Sequence, residues 1–210
     1  MAEHRSFVVL EGIDASGKTT IRKLLYRKLT MAGVDVVATI PSSWLDIWST
    51  RLITDARYNG VATDPKLITQ AYVRDKETLT ERLIEPQLRN RHVLMDRYIL
   101  SDLVYHAVIW GIPPEVTDRA YRQSRCLAPD VTVWIDTPVE IAANRLQARG
   151  GARRPWELRD RQVRADAIYR ELIGGLLGPP SALVVRFDNS IDGDLEDRVE
   201  RDLLPLFAWS

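Results

Sequence analysis

Residues 12–19 have the types and the spacing of a phosphate-binding loop. They read Gly-Ile-Asp-Ala-Ser-Gly-Lys-Thr, follow an apolar run and precede a helical pattern, as the motif G-x-x-x-x-G-K-[ST] requires. Gly12 and Gly17 allow the tight turn that points backbone N–H groups at an anion. Lys18 is placed to reach the β- and γ-phosphates of ATP, and Thr19 to offer a hydroxyl group to Mg²⁺. The remaining predicted nucleotide contacts in this segment are Ala15, Ser16 and Thr20.

Two predicted strands end in an aspartate. One is followed by Asp96-Arg97, and the other ends at Asp136. Ligands of open α/β sheets bind beyond the carboxyl ends of the strands. Asp96 is therefore predicted to hold Mg²⁺ or to orient an acceptor oxygen, and Arg97 to bind a phosphoryl group. For Asp136, which precedes Thr137-Pro138, capping of the next helix is at least as good an interpretation as catalysis.

An arginine-rich segment lies in the second half of the chain. Eight arginines occur between positions 145 and 170, and Gly150-Gly151 supplies a flexible joint among them. An arginine delivered by a moving lid can neutralise the charge that develops during phosphoryl transfer. We predict a lid at about 148–157 with Arg153 or Arg154 as its catalytic residue. The arginines at 159, 161 and 164 are interpreted as a solvated helix face.

Short apolar strands alternate with helical patterns along the chain. The predicted strands are 6–11, 34–40, 92–95, 131–135 and 183–187. The predicted helices are 21–31, 65–88 with a bend near Pro86, 101–110, 138–147, 156–177 and a last one that runs to about 207. The stretch after Pro41, which contains Trp44 and Trp48, is predicted to be irregular. This order indicates an α/β fold: a five-stranded parallel sheet with helices on both faces, in a single domain over 1–210.

Composition excludes several classes of partner. The chain has 29 Lys and Arg against 29 Asp and Glu, so no overall field favours nucleic acid or an anionic membrane. No apolar run approaches the roughly 20 residues of a membrane helix, and no signal peptide is expected before the first strand. The single cysteine, Cys126, excludes an internal disulfide and a Cys-rich metal site, and it is interpreted as a packing residue. A cytoplasmic location is expected.

Taken together, these motifs resemble those of the thymidylate kinases. The segment 7–20 is similar to the opening of that family, and Asp96-Arg97-Tyr98 with Ser101 and Tyr105 is similar to its second motif. The resemblance implies a P-loop kinase fold with a lid that closes over ATP, usually as a homodimer. It also implies the reaction of ATP and a nucleoside monophosphate, with Mg²⁺, to ADP and the diphosphate.

The resemblance assigns roles to individual residues. It places Asp14 near the acceptor sugar or its phosphate, Lys18 on the transferred phosphate and Thr19 on the metal. It gives Asp96 to metal and acceptor, Arg97 to the acceptor phosphate, and Tyr105 to the face of the acceptor sugar. The helical spacing of Arg97, Ser101 and Tyr105 independently puts these three on one face.

The acceptor half of the motif set departs from the family pattern. Where the family carries Arg-Glu-Pro-Gly after the second strand, this chain keeps only Pro41. The arginine that reads the thymine carbonyl falls at Lys76, with Arg74 on a different helix face. Asp102 replaces a small or amide residue, where its carboxylate would repel a base carbonyl or pair with Lys76. Thymidylate is the leading acceptor, followed by a modified or different pyrimidine nucleotide.

Two other functions stay open at this stage. The first is a kinase of a nucleoside or another small metabolite, which Arg97 argues against. The second is a nucleotide-binding regulatory module without turnover, for which neither Asp96-Arg97 nor an arginine lid is needed.

Overall fold

The computed structural model describes residues 5–150, 154–175, 183–190 and 193–207. Its centre is a five-stranded parallel sheet in the order β2-β3-β1-β4-β5. The strands are β1 (Phe7–Glu11), β2 (Val36–Thr39), β3 (His92–Asp96), β4 (Val131–Asp136) and β5 (Leu183–Asp188). All five predicted strands are confirmed, within two residues at each end. Since β1 lies in the middle, the loop that follows it opens at the centre of the sheet edge.

Helices connect the strands and cover both faces. They are α1 (Lys18–Met31), α2 (Ile47–Tyr58), α3 (Pro65–Leu79), α4 (Glu85–Leu88), α5 (Ile99–Trp110), α6 (Pro114–Arg122), α7 (Val139–Arg149), α8 (Arg159–Gly174) and α9 (Leu195–Leu203). Alternate residues of β1 point to opposite faces, as the pleat requires. Phe7 and Val9 pack in a cluster with residues of α5 and α8, whereas Val8 and Leu10 pack with residues of α1 and α9.

The segment predicted to be irregular after Pro41 contains a helix, and that prediction is wrong. Asp46 caps α2 by accepting a hydrogen bond from the backbone N–H of Ser49 at 2.8 Å. Ile53 of this helix is buried in a separate cluster with residues of α3. The helix is stabilised by that packing, and its exposed Ile47 and Trp48 obscure the apolar stripe in the sequence. Helix α6 was also not predicted.

The long helix predicted over 65–88 is present over that range, but it is not α-helical throughout. Between α3 and α4 lies a π-helical stretch, Thr80–Ile84. Pro86 has no N–H to donate, and its ring crowds the carbonyl of Arg82, four residues earlier. A wider turn that contains Arg82 accommodates this crowding. A π-helical stretch thus ends two residues before Pro86, where the sequence predicts a bend.

Within the part of the chain that the structure describes, no helix combines the length and the apolar character needed to cross a membrane.

Candidate active site

The phosphate-binding loop runs from the end of β1 to the start of α1, as predicted. Gly12 has φ +145°, and a Cβ atom there would lie 2.7 Å from the carbonyl oxygen of Ile135 in β4. Only glycine fits this close approach. On the other side of the loop, the carbonyl of Ser16 accepts hydrogen bonds from Asn189 Nδ2 at 2.7 Å and from Thr137 Oγ1 at 3.0 Å. The loop is therefore held by the two neighbouring strand ends.

Lys18 lies buried under the loop. Its Nζ atom donates to the carbonyls of Gly12 at 3.0 Å and Ile13 at 2.6 Å, and to Ser16 Oγ at 3.1 Å. Burial, and then the charge of Arg97, lower the pKa of Lys18 to about 7. The three acceptors are neutral, so a phosphate oxyanion would be a stronger partner for the ammonium group than any of them.

ATP binding at pH 8 is expected to take up most of one proton per nucleotide. With a pKa of about 7, Lys18 is mainly neutral in the free protein at this pH. Anionic phosphates favour the charged form and raise the pKa, so Lys18 gains a proton on binding. Calorimetric titration with MgATP in buffers of different ionisation enthalpy measures this uptake. At pH 6 Lys18 is already charged and the uptake should disappear; equal uptake at both pH values would contradict the assignment.

The predicted metal ligands meet at the two central strand ends. Thr19 Oγ1 donates a hydrogen bond to Asp96 Oδ2 at 2.9 Å. The structure thus places a hydroxyl and a carboxylate oxygen side by side, next to the phosphate-binding loop. Among the described residues there is no group of three or more His, Cys, Asp or Glu side chains that could hold a metal by themselves. This donor set suits an ion that takes most of its ligands from phosphate and water, as Mg²⁺ does.

Arg97 lies at the centre of the site. Its two terminal nitrogens donate to five protein oxygens, which belong to Gly12, Asp14, Ser101, Tyr105 and Tyr169. The guanidinium group also lies over the ring of Tyr105, 4.8 Å from its centroid. The backbone of Arg97 has φ +71°, a conformation that non-glycine residues adopt mainly where the surrounding structure imposes it.

Asp14 is the ionic partner of Arg97. It pairs with one terminal nitrogen of Arg97, and its second oxygen accepts a hydrogen bond from the hydroxyl of Tyr105 at 3.2 Å. Burial alone would raise the pKa of Asp14, but the positive charges of Arg97, Lys18 and Arg57 outweigh it and lower the pKa. The carboxylate is therefore ionised beside the loop.

Glu11 is a site residue that sequence reasoning missed. It is buried, and its carboxylate accepts hydrogen bonds from the backbone N–H groups of Tyr98 at 2.7 Å and Ser101 at 3.2 Å. It also accepts from the hydroxyls of Ser101 and Tyr169. Burial raises its pKa above the usual value for a glutamate. Glu11 thus fixes the first turn of α5. This helix begins two residues after Arg97, and its first turn carries Ser101. A charged residue at the end of an otherwise apolar strand was the available signal.

A cavity on the acceptor side joins most of the predicted substrate residues. Six of them line it: Pro41, Lys76, Arg97, Ser101, Asp102 and Tyr105. Arg97 also contacts the carbonyl of Gly12 and so connects the cavity to the phosphate-binding loop. Arg57, Tyr72 and His106 also line the cavity and were not predicted. In this conformation the volume is about 40 Å³, below the roughly 300 Å³ of typical ligand pockets. An occupant would displace side chains that now close the cavity.

Lys76 and Asp102 form a buried ion pair in the lining of this cavity. Lys76 Nζ lies 2.5 Å from Asp102 Oδ2, and both residues are less than 10% exposed. The hydroxyl of Tyr121 donates to the same carboxylate oxygen. Burial would lower the pKa of Lys76, but the charge of Asp102 prevails and raises it. Of the two arrangements open from the sequence, the structure shows the pair.

Arg74 lies apart from this cavity. Its side chain is 59% exposed, donates from Nε to Asp46 Oδ2 at 2.8 Å and lies over the ring of Trp48. Trp44 and Trp48 are about 40% exposed, and neither lines the cavity. The helical geometry explains this: Arg74 and Lys76 point in different directions from α3, and only Lys76 points inward.

On the donor side, arginines of the second half of the chain face the phosphate-binding loop. Arg145, Arg149 and Arg154 line an open depression with Lys18 and residues around it. Of the two predicted lid arginines, Arg154 is in this depression and Arg153 lies outside the described residues. Arg145 also donates to the carbonyl of Ser16 at 3.4 Å.

The described part of the predicted lid is a short turn. Arg149 ends α7, and a 3₁₀ turn, Pro155–Glu157, precedes α8. Glu157 is buried and accepts hydrogen bonds from the Arg149 side chain and the Arg154 backbone, both at 2.8 Å. The helix predicted from 156 therefore begins at Arg159, because Pro155 to Glu157 form the tighter turn.

Asp136 forms ion pairs with two arginines. Asp136 pairs with Arg170 at 2.7 Å and Arg186 at 2.6 Å, and no side chain caps the helix that begins at Val139. Neither sequence interpretation of Asp136, capping or catalysis, describes this pairing.

Burial raises the pKa of the Cys126 thiol to about 11, so the thiolate needed for nucleophilic attack is scarce at neutral pH.

Comparison with known proteins agrees with this geometry. A model of the thymidylate kinase family matches residues 10–175. The chain belongs to the thymidylate kinase family. It is therefore an enzyme of the nucleoside monophosphate kinase class with a P-loop fold, and the predicted fold class and family are confirmed.

Individual relatives cover most of the chain. It is 34% identical to a probable thymidylate kinase of Pyrobaculum aerophilum over 148 residues, which are 70% of this chain and 72% of that protein. It is 33% identical to a thymidylate kinase of Akkermansia muciniphila over 144 residues, 68% of each chain. It is 30% identical to a thymidylate kinase of Xanthomonas euvesicatoria pv. vesicatoria over 167 residues, 79% of this chain and 71% of that protein.

Proposed function

We propose that this protein is a single-domain kinase that transfers the γ-phosphoryl group of ATP to dTMP and releases ADP and dTDP. The observation that carries the proposal is the position of Arg97. It contacts Asp14 and the carbonyl of Gly12 in the phosphate-binding loop, and it lines the cavity that contains Lys76 and Asp102. One cation thus lies between a donor site for triphosphate and an acceptor site.

The transfer follows from charge placement. Lys18 and the backbone N–H groups of the loop bind the transferred phosphoryl group and stabilise its developing charge. Arg97 and Asp14 orient the acceptor so that its phosphate oxygen faces that group. Arg154 or Arg153 supplies a further positive charge from the lid. The protein has no covalent step of its own, because positioning and charge stabilisation are sufficient for phosphoryl transfer.

Mg²⁺ is part of this proposal. Thr19 and Asp96 would hold it directly or through water, and their adjacent oxygens fit its preference for hard ligands. The ion would neutralise charge on the β- and γ-phosphates of ATP. The cytoplasmic location rests on the composition of the chain and the homodimer on the family resemblance, and both stay predictions.

The base site supports a pyrimidine with a carbonyl group. Lys76 has donors for such a carbonyl, and its ion pair with Asp102 offsets the negative charge that would otherwise repel it. The sequence objection to thymidylate, an isolated carboxylate at Asp102, is thereby weakened. A cytosine base could also use the pair, through its ring nitrogen and amino group, and is the second candidate.

The deciding experiment measures ADP release with MgATP against a panel of acceptors. The panel contains dTMP, dUMP, dCMP, CMP, UMP, 5-substituted pyrimidine monophosphates and the matching nucleosides. We expect dTMP to give the highest kcat/KM. Preference for another monophosphate would refute dTMP but keep the kinase class, preference for a nucleoside would favour the metabolite-kinase alternative, and ATP hydrolysis without any acceptor would favour a regulatory module.

An Asp102→Asn variant is expected to shift the acceptor preference further toward dTMP. The neutral amide offers an N–H donor, and Lys76 is released to bind the base carbonyl. The variant should also lose about 3–5 kcal/mol of unfolding free energy, since the buried charge of Lys76 loses its partner. The measurements are the ratio of kcat/KM for dTMP and dCMP, and urea denaturation.

Tyr121→Phe is the matched control for that variant. It removes a hydroxyl from the same carboxylate and leaves the ion pair intact, so it should cost only about 1 kcal/mol and keep the dTMP/dCMP ratio. An unchanged ratio in Asp102→Asn would remove Asp102 from the base site.

A further inference from the structure

His106 lines the acceptor cavity, one helical turn beyond Asp102 on α5. Its imidazole is buried, and the Nδ1 atom lies 3.2 Å from Thr117 Oγ1 of α6. The Nε2 atom is shielded from solvent and has no hydrogen-bond partner among the described residues. A buried polar atom without a partner is costly unless a ligand supplies one. The cavity therefore contains a polar group that the packing of the protein leaves unused.

Two aromatic rings hold the imidazole in this position. The ring centroids of Tyr72 and Trp110 lie 4.7 Å and 5.3 Å from that of His106, and both contacts are edge-to-face. Burial lowers the pKa of His106 to about 4, so the imidazole is neutral at neutral pH. A neutral imidazole has one donor and one acceptor nitrogen. Since the Thr117 hydroxyl can donate or accept, Nε2 is able to take either role toward a ligand.

The order of groups along the cavity decides which part of an acceptor meets His106. Arg97 contacts the phosphate-binding loop, and α5 begins two residues later. His106 follows Asp102 by four residues, which is about 6 Å along a helix. In a pyrimidine nucleotide, C4 and C5 lie on the side of the ring away from the sugar. The Lys76–Asp102 pair suits the group on C4 and the adjacent ring nitrogen. The substituent on C5 is thus left for His106.

Space for a larger C5 substituent is available next to His106. Trp110 lines the acceptor cavity and also an outer depression of about 370 Å³, which α3 and α6 border. Trp110 is only partly buried, and apolar side chains such as Ile112 and Val116 line the same depression. A shift of the indole ring toward this depression would enlarge the cavity beside the imidazole.

We propose that this kinase also phosphorylates pyrimidine monophosphates whose C5 substituent carries a hydroxyl group, and that His106 Nε2 hydrogen-bonds this hydroxyl. The inference rests on the proposed function, since it extends the range of acceptors of the same site. A hydroxyl group both donates and accepts, so it suits either tautomer of the imidazole.

The reaction is the same as with dTMP. An oxygen of the acceptor's phosphate forms a bond to the γ-phosphorus of ATP, the bond from that phosphorus to the β,γ-bridging oxygen breaks, and ADP leaves. The hydroxyl of the C5 substituent is not consumed and serves only in recognition.

The test compares 5-hydroxymethyl-dUMP with 5-ethyl-dUMP, whose substituent has a similar size but no hydroxyl. We expect the wild-type kcat/KM for 5-hydroxymethyl-dUMP to be within about tenfold of that for dTMP and roughly tenfold above that for 5-ethyl-dUMP. His106→Phe keeps a ring but has no polar atom, so the preference for hydroxymethyl over ethyl should fall to about twofold or less. Turnover of dTMP by this variant should stay within about threefold of wild type.

Thr117→Val is the matched control. It removes the Nδ1 contact that His106→Phe also removes, but it leaves Nε2 in place, so the preference for hydroxymethyl should persist. His106→Gln retains a donor and an acceptor and should recover part of the preference. Thermal denaturation of each variant shows whether its fold is intact.

The outcomes separate the two proposals. If the wild-type protein phosphorylates no pyrimidine monophosphate, the proposed function fails and this inference fails with it. If it phosphorylates dTMP but does not prefer 5-hydroxymethyl-dUMP over 5-ethyl-dUMP, only the role of His106 is overturned, and this comparison needs no variant. A preference that persists in His106→Phe, or that Thr117→Val abolishes as well, also overturns that role.

Discussion

A Lys18→Met variant is expected to lose at least about 100-fold in kcat with dTMP while it keeps its fold. Methionine has a similar length and fills the space under the loop, but it has no charge and no donors. The wild-type ammonium group donates to three loop atoms, and Lys18 lines the depression beside the loop. Since its charge is needed most when the phosphoryl group is in transit, kcat should fall more than the affinity for ATP.

Steady-state kinetics and thermal denaturation of the two forms measure this effect. The fold should survive, because burial already disfavours the charged form of Lys18 and methionine removes that cost. Lys23→Met, an exposed position of the same helix, is the control and should have normal activity. Turnover of Lys18→Met within about tenfold of wild type would exclude Lys18 from phosphoryl transfer.

Arg97→Ala is expected to lower kcat/KM for dTMP at least about 100-fold. The substitution removes the cation that links Asp14 of the phosphate-binding loop to the acceptor cavity. Asp14 would then lose its ionic partner, and the acceptor would lose the positive charge that it shares with Asp14. Misplacement of the acceptor by even a small distance lowers the rate strongly, because transfer depends on alignment.

Two further variants separate the role of Arg97 in acceptor binding from its role in packing. Arg97→Lys keeps the charge but loses the planar arrangement of donors, and it should recover only part of the activity. Arg91→Ala, an exposed arginine just before β3, should behave as wild type. The ATP affinity of each variant shows whether the phosphate-binding loop is intact. If Arg97→Ala retained near-normal kcat/KM for dTMP, the acceptor would not be held at this point.

Local patterns were sufficient for the phosphate-binding loop and for most of the site residues that follow β3. The phosphate-binding loop and the strand-ending Asp96 are contiguous signals, and Ser101 and Tyr105 have helical spacing within α5. Arg97 precedes α5 and has φ +71°, so its predicted place on the helix face is wrong, but its side chain still contacts Ser101 and Tyr105. The strands were also readable, because parallel strands buried on both faces are short apolar runs. The family resemblance rests on these same segments and is confirmed by the match over residues 10–175.

Long-range contacts account for what the sequence did not predict. Arg57 reaches the cavity only because α2 packs on α3, and α2 was not predicted since its apolar stripe is interrupted by exposed Ile47 and Trp48. Glu11 has its role through partners 87 to 158 positions away. The Lys76–Asp102 pair joins two helices whose separate patterns carry no information about their distance.

Short motifs thus set the chemistry of the protein, because they specify a phosphate-binding loop and the phosphoryl-transfer class. The environment of the acceptor depends on the packing of α2, α3 and α5 against one another. Because Asp102 pairs with Lys76 in that environment, its carboxylate repels a base carbonyl less than an isolated carboxylate would. Such pairing arises from distances in the folded chain, and distance between segments is the quantity that a sequence pattern does not contain.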